Sequence, residues 1–167
     1  MHYQIGNITL KDFELDDITD EYLSWLNDKD YMKFSRQSLI THDKVSVAKF
    51  IGDLASADNI FLSIKRNSIL IGTLTIYIDS DYQVCSPGIL IGRSFAKLGY
   101  GELVWRFVIG TVSKDLHMRK VSAGTLINNY AMIKLFEKSG MEFEATLYRA
   151  ALLDKVPTDI VLYRYFI

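Results

Sequence analysis

The spacing of apolar residues changes several times along the chain, and each change predicts an element. Ile5 to Leu15 alternates loosely between apolar and polar positions, which predicts a first strand. Thr19 is a candidate N-cap, and Glu21 and Tyr22 open a short helix through Leu26 with Tyr22, Trp25 and Leu26 on one face. From Asp43 to Ala55, Val47, Phe50, Ile51 and Leu54 recur at helical spacing, with Thr41 or Asp43 as the cap. The period then falls to that of strands. Asn59 to Lys65 and Ile69 to Ile78 read as strands joined by a turn at Arg66-Asn67-Ser68. After a second turn at Asp79-Ser80-Asp81, Tyr82 to Gly92 forms a third strand, interrupted by Pro87-Gly88. Proline removes a ladder donor, so a bulge that splays this strand from a neighbour is expected. Beyond Gly101, Leu103, Val104, Phe107, Val108, Thr111 and Val112 share a helical face, with Glu102, Arg106 and Ser113 roughly opposite. Lys120 to Leu126 predicts a strand, and Tyr130 to Lys138 a helix stopped by Gly140. Glu142 to Leu153 and Thr158 to Phe166 predict closing strands around an Asp154–Pro157 turn. This order of elements predicts a mixed α/β fold, a sheet flanked by helices. No linker, repeat or low-complexity tract interrupts it, so residues 1–167 are expected to form a single domain.

Composition narrows the partners. Lys plus Arg total 19 and Asp plus Glu 20, which argues against bulk nucleic-acid binding but leaves room for a local basic patch around a phosphate. Cys85 is the only cysteine, so no intrachain disulfide forms and a reducing compartment is expected. No signal peptide and no apolar run of membrane-spanning length is visible, which predicts a soluble cytoplasmic protein without a membrane partner, monomeric or homodimeric. No His/Cys/Asp/Glu cluster has metal-ligand spacing, so no metal is expected.

The chemistry concentrates between Gly88 and Trp105. A strand runs into a short loop carrying Gly99 and Gly101, and a helix follows. Glycine lets the backbone approach a ligand closely, and the first turn of a helix offers unpaired N–H groups at its positive end. Together these suit a phosphate or pyrophosphate, with Lys97 adding a cation; a helix-start turn without ligand is the competing explanation. Cys85 reads as a small buried apolar residue rather than a nucleophile. His42 and His117 are base candidates, His117 in a helix-to-strand turn and His42 before the second helix.

Ala96-Lys97-Leu98-Gly99-Tyr100-Gly101 resembles the Arg/Gln-x-x-Gly-x-Gly/Ala loop of the GNAT superfamily of acetyl-CoA-dependent N-acetyltransferases. Asn129 to Met141 resembles that family's Asn-led helix ending in Glu-Lys-x-Gly-Phe, and the spacing between the two blocks fits. Glu21 to Asp28 resembles the start of the branch that acetylates ribosomal-protein N-termini and amino sugars on nucleotides. The resemblance implies a mostly antiparallel central sheet with a splayed strand pair, and acetyl-CoA as co-substrate. It implies cofactor contacts from Leu90, Ile91 and Gly92 on the strand and from Lys97, Leu98, Gly99, Tyr100, Gly101 and Glu102 at the loop. Asn129 stands either against the pantetheine arm or as a helix cap. Trp25, Phe34, Arg36 and His42 would border the acceptor, and Asn129 and Ser86 are the catalytic candidates.

Three departures qualify this. Ala96 stands where the family has Arg or Gln, Phe136 where many members have the tyrosine that protonates the departing thiolate, and Ser86 where relatives acting on ribosomal proteins often have Glu. Acetyl transfer needs a neutral amine, a donor for the developing oxyanion and near-attack positioning. Backbone N–H groups of Leu90 and Gly92, without sheet partners, are expected to bind the pantetheine amides and the acetyl oxygen. The expected activity is direct transfer in a ternary complex to a primary amine. An amino sugar on a nucleotide carrier comes first as acceptor, and the N-terminus of a ribosomal or other protein second. A coenzyme-A-binding module that has lost catalysis is the alternative.

Overall fold

A computed structural model describes residues 1–167. The chain forms two compact units, Met1–Ile78 with Gly88–Gly101, and Asp79–Pro87 with Glu102–Ile167. The fold is mixed α/β, with a strand order of β1-β2-β3-β4-β5-β6-β8-β7 and helices flanking the sheet. Strand β5 (Val84–Ile91) begins in the second unit and ends in the first.

In the first unit, the expected opening strand is a hairpin, β1 (His2–Ile5) and β2 (Ile8–Asp12). Gly6 turns it, at a φ of 58° that glycine adopts without penalty. Antiparallel pairing continues from β2 to β3 (Ile60–Arg66) and on to β4 (Ile69–Asp79). The β3–β4 turn places Asn67 and Ser68 at φ 48° and 68°, the left-handed pair that suits a two-residue hairpin. Helix α1 (Asp20–Asn27) starts where Thr19 accepts the Tyr22 N–H at 3.1 Å. Helix α2 (Lys44–Ser56) starts at a capping box in which Asp43 and Ser46 exchange hydrogen bonds. The apolar faces of both helices bury Tyr22, Trp25, Leu26, Val47 and Leu54 in one cluster with Phe13, Met32 and Phe61. Each such side chain contributes about 1.5–3 kcal/mol. The buried Asp17 carboxylate pairs with Lys65 and accepts the Glu14 N–H.

In the second unit, β5 and β6 (Lys120–Leu126) run parallel and pair only at Val84↔Lys120 and Cys85↔Val121. The ladder stops where Ser86 and Pro87 begin, the point at which the sequence predicts a splay. Strand β6 pairs antiparallel with β8 (Val156–Phe166), which pairs with β7 (Glu142–Leu153). Asp154 and Lys155 turn the last hairpin, at φ 51° and 66°. Helix α3 (Tyr100–Phe107) continues through a π-helical turn at Val108–Val112, where Ser113 Oγ donates to the Val108 carbonyl at 3.0 Å. Helix α4 (Tyr130–Lys138) ends at Gly140, with φ 86°. No helix is long and apolar enough to cross a membrane.

Candidate active site

The glycine segment takes its shape from three constraints within the first unit. Gly92 closes β5, and its N–H donates to the Ile71 carbonyl at 2.9 Å. A short 3₁₀ turn, Arg93–Phe95, then leads to a loop in which Lys97 and Gly99 both adopt left-handed backbone, with φ 62° and 85°. Lys97, Leu98 and Gly99 are exposed, and a Cβ built on Gly99 meets nothing within 4 Å. The exposed loop leads directly into the first turn of α3. Left-handed backbone just before a helix N-terminus is a setting in which N–H groups can converge on a pyrophosphate. The guanidinium of Arg66, at the end of β3, lies 5.6 Å above the Tyr100 ring. It supplies a cation beside a loop that lacks one at Ala96. The sequence gives no hint of this, because Arg66 reads there as part of a turn.

The expectation for the strand N–H groups needs correction. The Gly92 N–H is spent on Ile71, so it is not available to a ligand. Successive residues of a strand aim their N–H and C=O at opposite edges, so Leu90 faces the same edge as Gly92. The outer edge belongs to Ile89 and Ile91. In keeping with this, the Ile91 carbonyl accepts a hydrogen bond from the Tyr31 hydroxyl at 2.7 Å.

The acceptor-side candidates separate by exposure. Trp25 is 5% exposed and lies flat against Gly92, so its ring has no open face. His42 is buried and pinned. Asn27 bonds both its backbone N–H and its carbonyl at 2.8 Å, and the ring Nε2 lies 2.9 Å from the Gln37 carbonyl. These contacts and its burial hold the His42 ring in place between α1 and α2. Phe34 is half-buried under the Lys33 ammonium, and Arg36 is exposed at the start of a 3₁₀ turn.

Ser86, Glu102 and Asn129 belong to the second unit. Ser86 is half-buried beside Pro87. Glu102 pairs with Arg106 at 3.1 Å and approaches Lys138 at 4.0 Å, so its charge at the start of α3 is compensated. Asn129 caps α4, its Oδ1 accepting the Met132 N–H at 3.4 Å while Nδ2 donates to Thr125 Oγ1 at 3.0 Å. Both ends of the amide are therefore engaged by protein. Asn129→Ala should lower stability by about 1 kcal/mol in urea melts. A loss of acetyl-CoA affinity without that destabilisation would show instead that the amide serves the ligand.

Two further positions bear on the chemistry. Phe136 is fully buried, its ring 5.3 Å from those of Trp105 and Tyr163. No hydroxyl stands there to protonate a thiolate. The Cys85 thiol is also buried, 3.4 Å from Ser113 Oγ, and burial pushes its pKa up, with the Ser113 hydrogen bond opposing. It is a protonated thiol at neutral pH, a poor nucleophile. Iodoacetamide at pH 7.5 should label Cys85 only when urea unfolds the chain. Rapid labelling of the native protein would reopen an acetyl-cysteine route.

A family profile described as "Acetyltransferase (GNAT) domain" matches residues 7–142. No curated protein matches the sequence. Solved structures do share the fold. The ribosomal L7/L12 alpha-N-protein acetyltransferase RimL, in complex with coenzyme A, is 14% identical with a TM-score of 0.87, over 98% of this chain and 96% of that one. The microcin C7 self-immunity acetyltransferase MccE, in complex with acetyl-CoA and AMP, is 18% identical with a TM-score of 0.85, over 98% and 94%. A spermidine N-acetyltransferase from Vibrio cholerae, in complex with CoA and spermine, is 13% identical with a TM-score of 0.86, over 97% and 96%.

Proposed function

The chain belongs to the GNAT acetyltransferase domain family, and from that premise we propose that it moves an acetyl group from acetyl-CoA to a primary amine by direct transfer in a ternary complex. As a GNAT-type N-acetyltransferase it takes acetyl-CoA as its co-substrate. The observation that carries the donor half is the open loop at Lys97–Gly99, two left-handed residues feeding the first turn of α3. Its backbone N–H groups, from Leu98 to Gly101, would hold the pyrophosphate, with Lys97 and Arg66 supplying positive charge. The pantetheine arm would run along the outer edge of β5, where the Ile89 and Ile91 N–H groups take the place first given to Leu90 and Gly92.

The amine nitrogen attacks the thioester carbonyl carbon, the C–S bond breaks, and an amide and a thiol leave. One proton is lost by the amine and one is gained by the thiolate, so the reaction balances without an external acid. This suits a protein whose Phe136 offers none. Residues 1–167 would work as one catalytic domain, in the cytoplasm.

Of the three neighbours named above, one acetylates a protein N-terminus and one spermidine, and neither acceptor is an amino sugar. The acceptor class supported best is therefore a primary amine on a peptide or a small polyamine. The nucleotide-linked amino sugar becomes one arm of the test. The buried Phe136 favours a second reading, a coenzyme-A-binding module without turnover.

Calorimetric titration with acetyl-CoA should show binding. Thiol release, followed with a disulfide dye, should rise with at least one of spermidine, a peptide with a free N-terminus or a nucleotide-linked amino sugar. Binding without thiol release across that panel would support the non-catalytic module. Absence of acetyl-CoA binding would overturn both.

A further inference from the structure

The Ile91–Gly92 peptide is clamped more tightly than sheet geometry requires. At one end its carbonyl accepts the Tyr31 hydroxyl at 2.7 Å, and at the other its N–H donates to the Ile71 carbonyl at 2.9 Å. Between them, the Gly92 Cα lies under the Trp25 indole so closely that a Cβ would come within 2.5 Å of Cε2 and 2.7 Å of Cη2. The clamp itself is held. Trp25 makes edge contacts with Tyr22 and Phe95, at centroid distances of 6.0 and 6.3 Å. Tyr31 is fixed at its backbone by Asp28, which accepts its N–H at 3.0 Å. Its ring is covered at 5.0 Å by the Arg93 guanidinium, which pairs with Asp28 at 2.7 Å and approaches Asp30 at 3.8 Å.

We propose that Tyr31 and Trp25 are positioning residues for acetyl transfer, holding the Ile91–Gly92 peptide so that the neighbouring Ile91 N–H is fixed to receive the thioester oxygen. This rests on the reading that acetyl-CoA lies along the outer edge of β5. A donor favours a transition state over a ground state only if it is already oriented when charge develops on the oxygen. A strand end is the part of a strand least restrained by its own ladder. An acceptor-side loop that bonds its last outward carbonyl and seals its last Cα removes that freedom. Burial raises the Tyr31 phenol above its ordinary value, against a smaller opposing effect of Arg93, so the hydroxyl stays protonated and keeps donating through the physiological range. Trp25 belongs to the site as a wedge behind the donor strand, and this accounts for a buried tryptophan at the position where an acceptor wall was expected.

The test reads the thioester carbonyl itself. Infrared difference spectra of acetyl-CoA labelled with ¹³C at the acetyl carbonyl should show that stretch shifted to lower frequency on binding the wild type. Tyr31→Phe keeps the ring and removes the hydroxyl. It should lose roughly half of the shift while the calorimetric Kd for acetyl-CoA stays within about twofold, because ground-state binding uses many other contacts. Arg93→Gln uncovers the Tyr31 ring at an exposed position and should reduce the shift to a smaller degree. An unchanged shift in both variants would overturn the inference, whatever their melting temperatures. A wild type that binds acetyl-CoA with no shift would overturn it too, by removing the Ile91 N–H as donor. Failure of the wild type to bind acetyl-CoA at all is the distinct result that overturns the proposed function.

Discussion

Gly72→Ala should destabilise the protein by about 2–3 kcal/mol and weaken acetyl-CoA binding in the same variant. A Cβ at Gly72 would lie well inside contact distance of the Leu90 carbonyl oxygen, 3.0 Å from Ile91 Cδ1 and 3.2 Å from Ile91 Cα. Two of these three atoms are backbone, so no rotamer change relieves the overlap, and the end of β5 has to move away from β4. That same segment carries the Ile91 N–H and the Tyr31 contact, so the strain falls on the proposed donor site. Gly52→Ala provides the opposite control. Gly52 lies inside α2 with nothing within 4 Å of a built Cβ, and alanine there should stabilise by about 0.5–1 kcal/mol. Urea denaturation and calorimetry on the two variants check both signs. A Gly72→Ala protein with unchanged midpoint and unchanged affinity would show that the β4–β5 spacing is not set at this glycine.

Elements whose ends carry side-chain chemistry were legible in the sequence to within a residue or two. Thr19, Asp43 and Asn129 mark the starts of α1, α2 and α4, and each side chain accepts a first-turn N–H. The opening hairpin was not legible, because alternation continues on both sides of Gly6 and a turn that preserves the pattern leaves no break to read. The π-helical turn at Val108–Val112 likewise carries no local signature. In the site, the glycines announced the loop. What they could not announce was which edge of β5 is already taken. A period of two says that Leu90 and Gly92 share an edge, and only the Ile71 contact says that this edge is occupied. Tyr31 reaches Ile91 across 60 positions of sequence, and His42 is pinned by Asn27 across 15. Such partners are created by the fold, and no short-range pattern encodes them.

Gly101→Val should cost about tenfold or more in affinity for coenzyme A while lowering stability by less than about 1 kcal/mol. The two effects separate because the free protein has room. A Cβ on Gly101 meets only Ile91 Cγ1, at 3.6 Å, an ordinary contact, and Gly101 has no left-handed φ. Valine ranks above glycine in helix propensity, so the only expected cost to the fold is fitting its γ-methyls beside Ile91 in the first turn of α3. What it removes is the close approach of a doubly charged pyrophosphate to the N–H groups of the loop. Each of those charge-assisted hydrogen bonds is worth about 1.5–3 kcal/mol. Acetyl-pantetheine, which ends before the pyrophosphate, is the internal control. It should bind weakly to the wild type and equally weakly to Gly101→Val, since its contacts lie along β5. Equal loss for both ligands would mean that the valine acts through the strand, by way of Ile91, and not on the phosphates. Full retention of coenzyme A affinity would move the pyrophosphate away from Lys97–Gly101 altogether. The left-handed geometry of Lys97 and Gly99 would then be no more than the turn that starts α3.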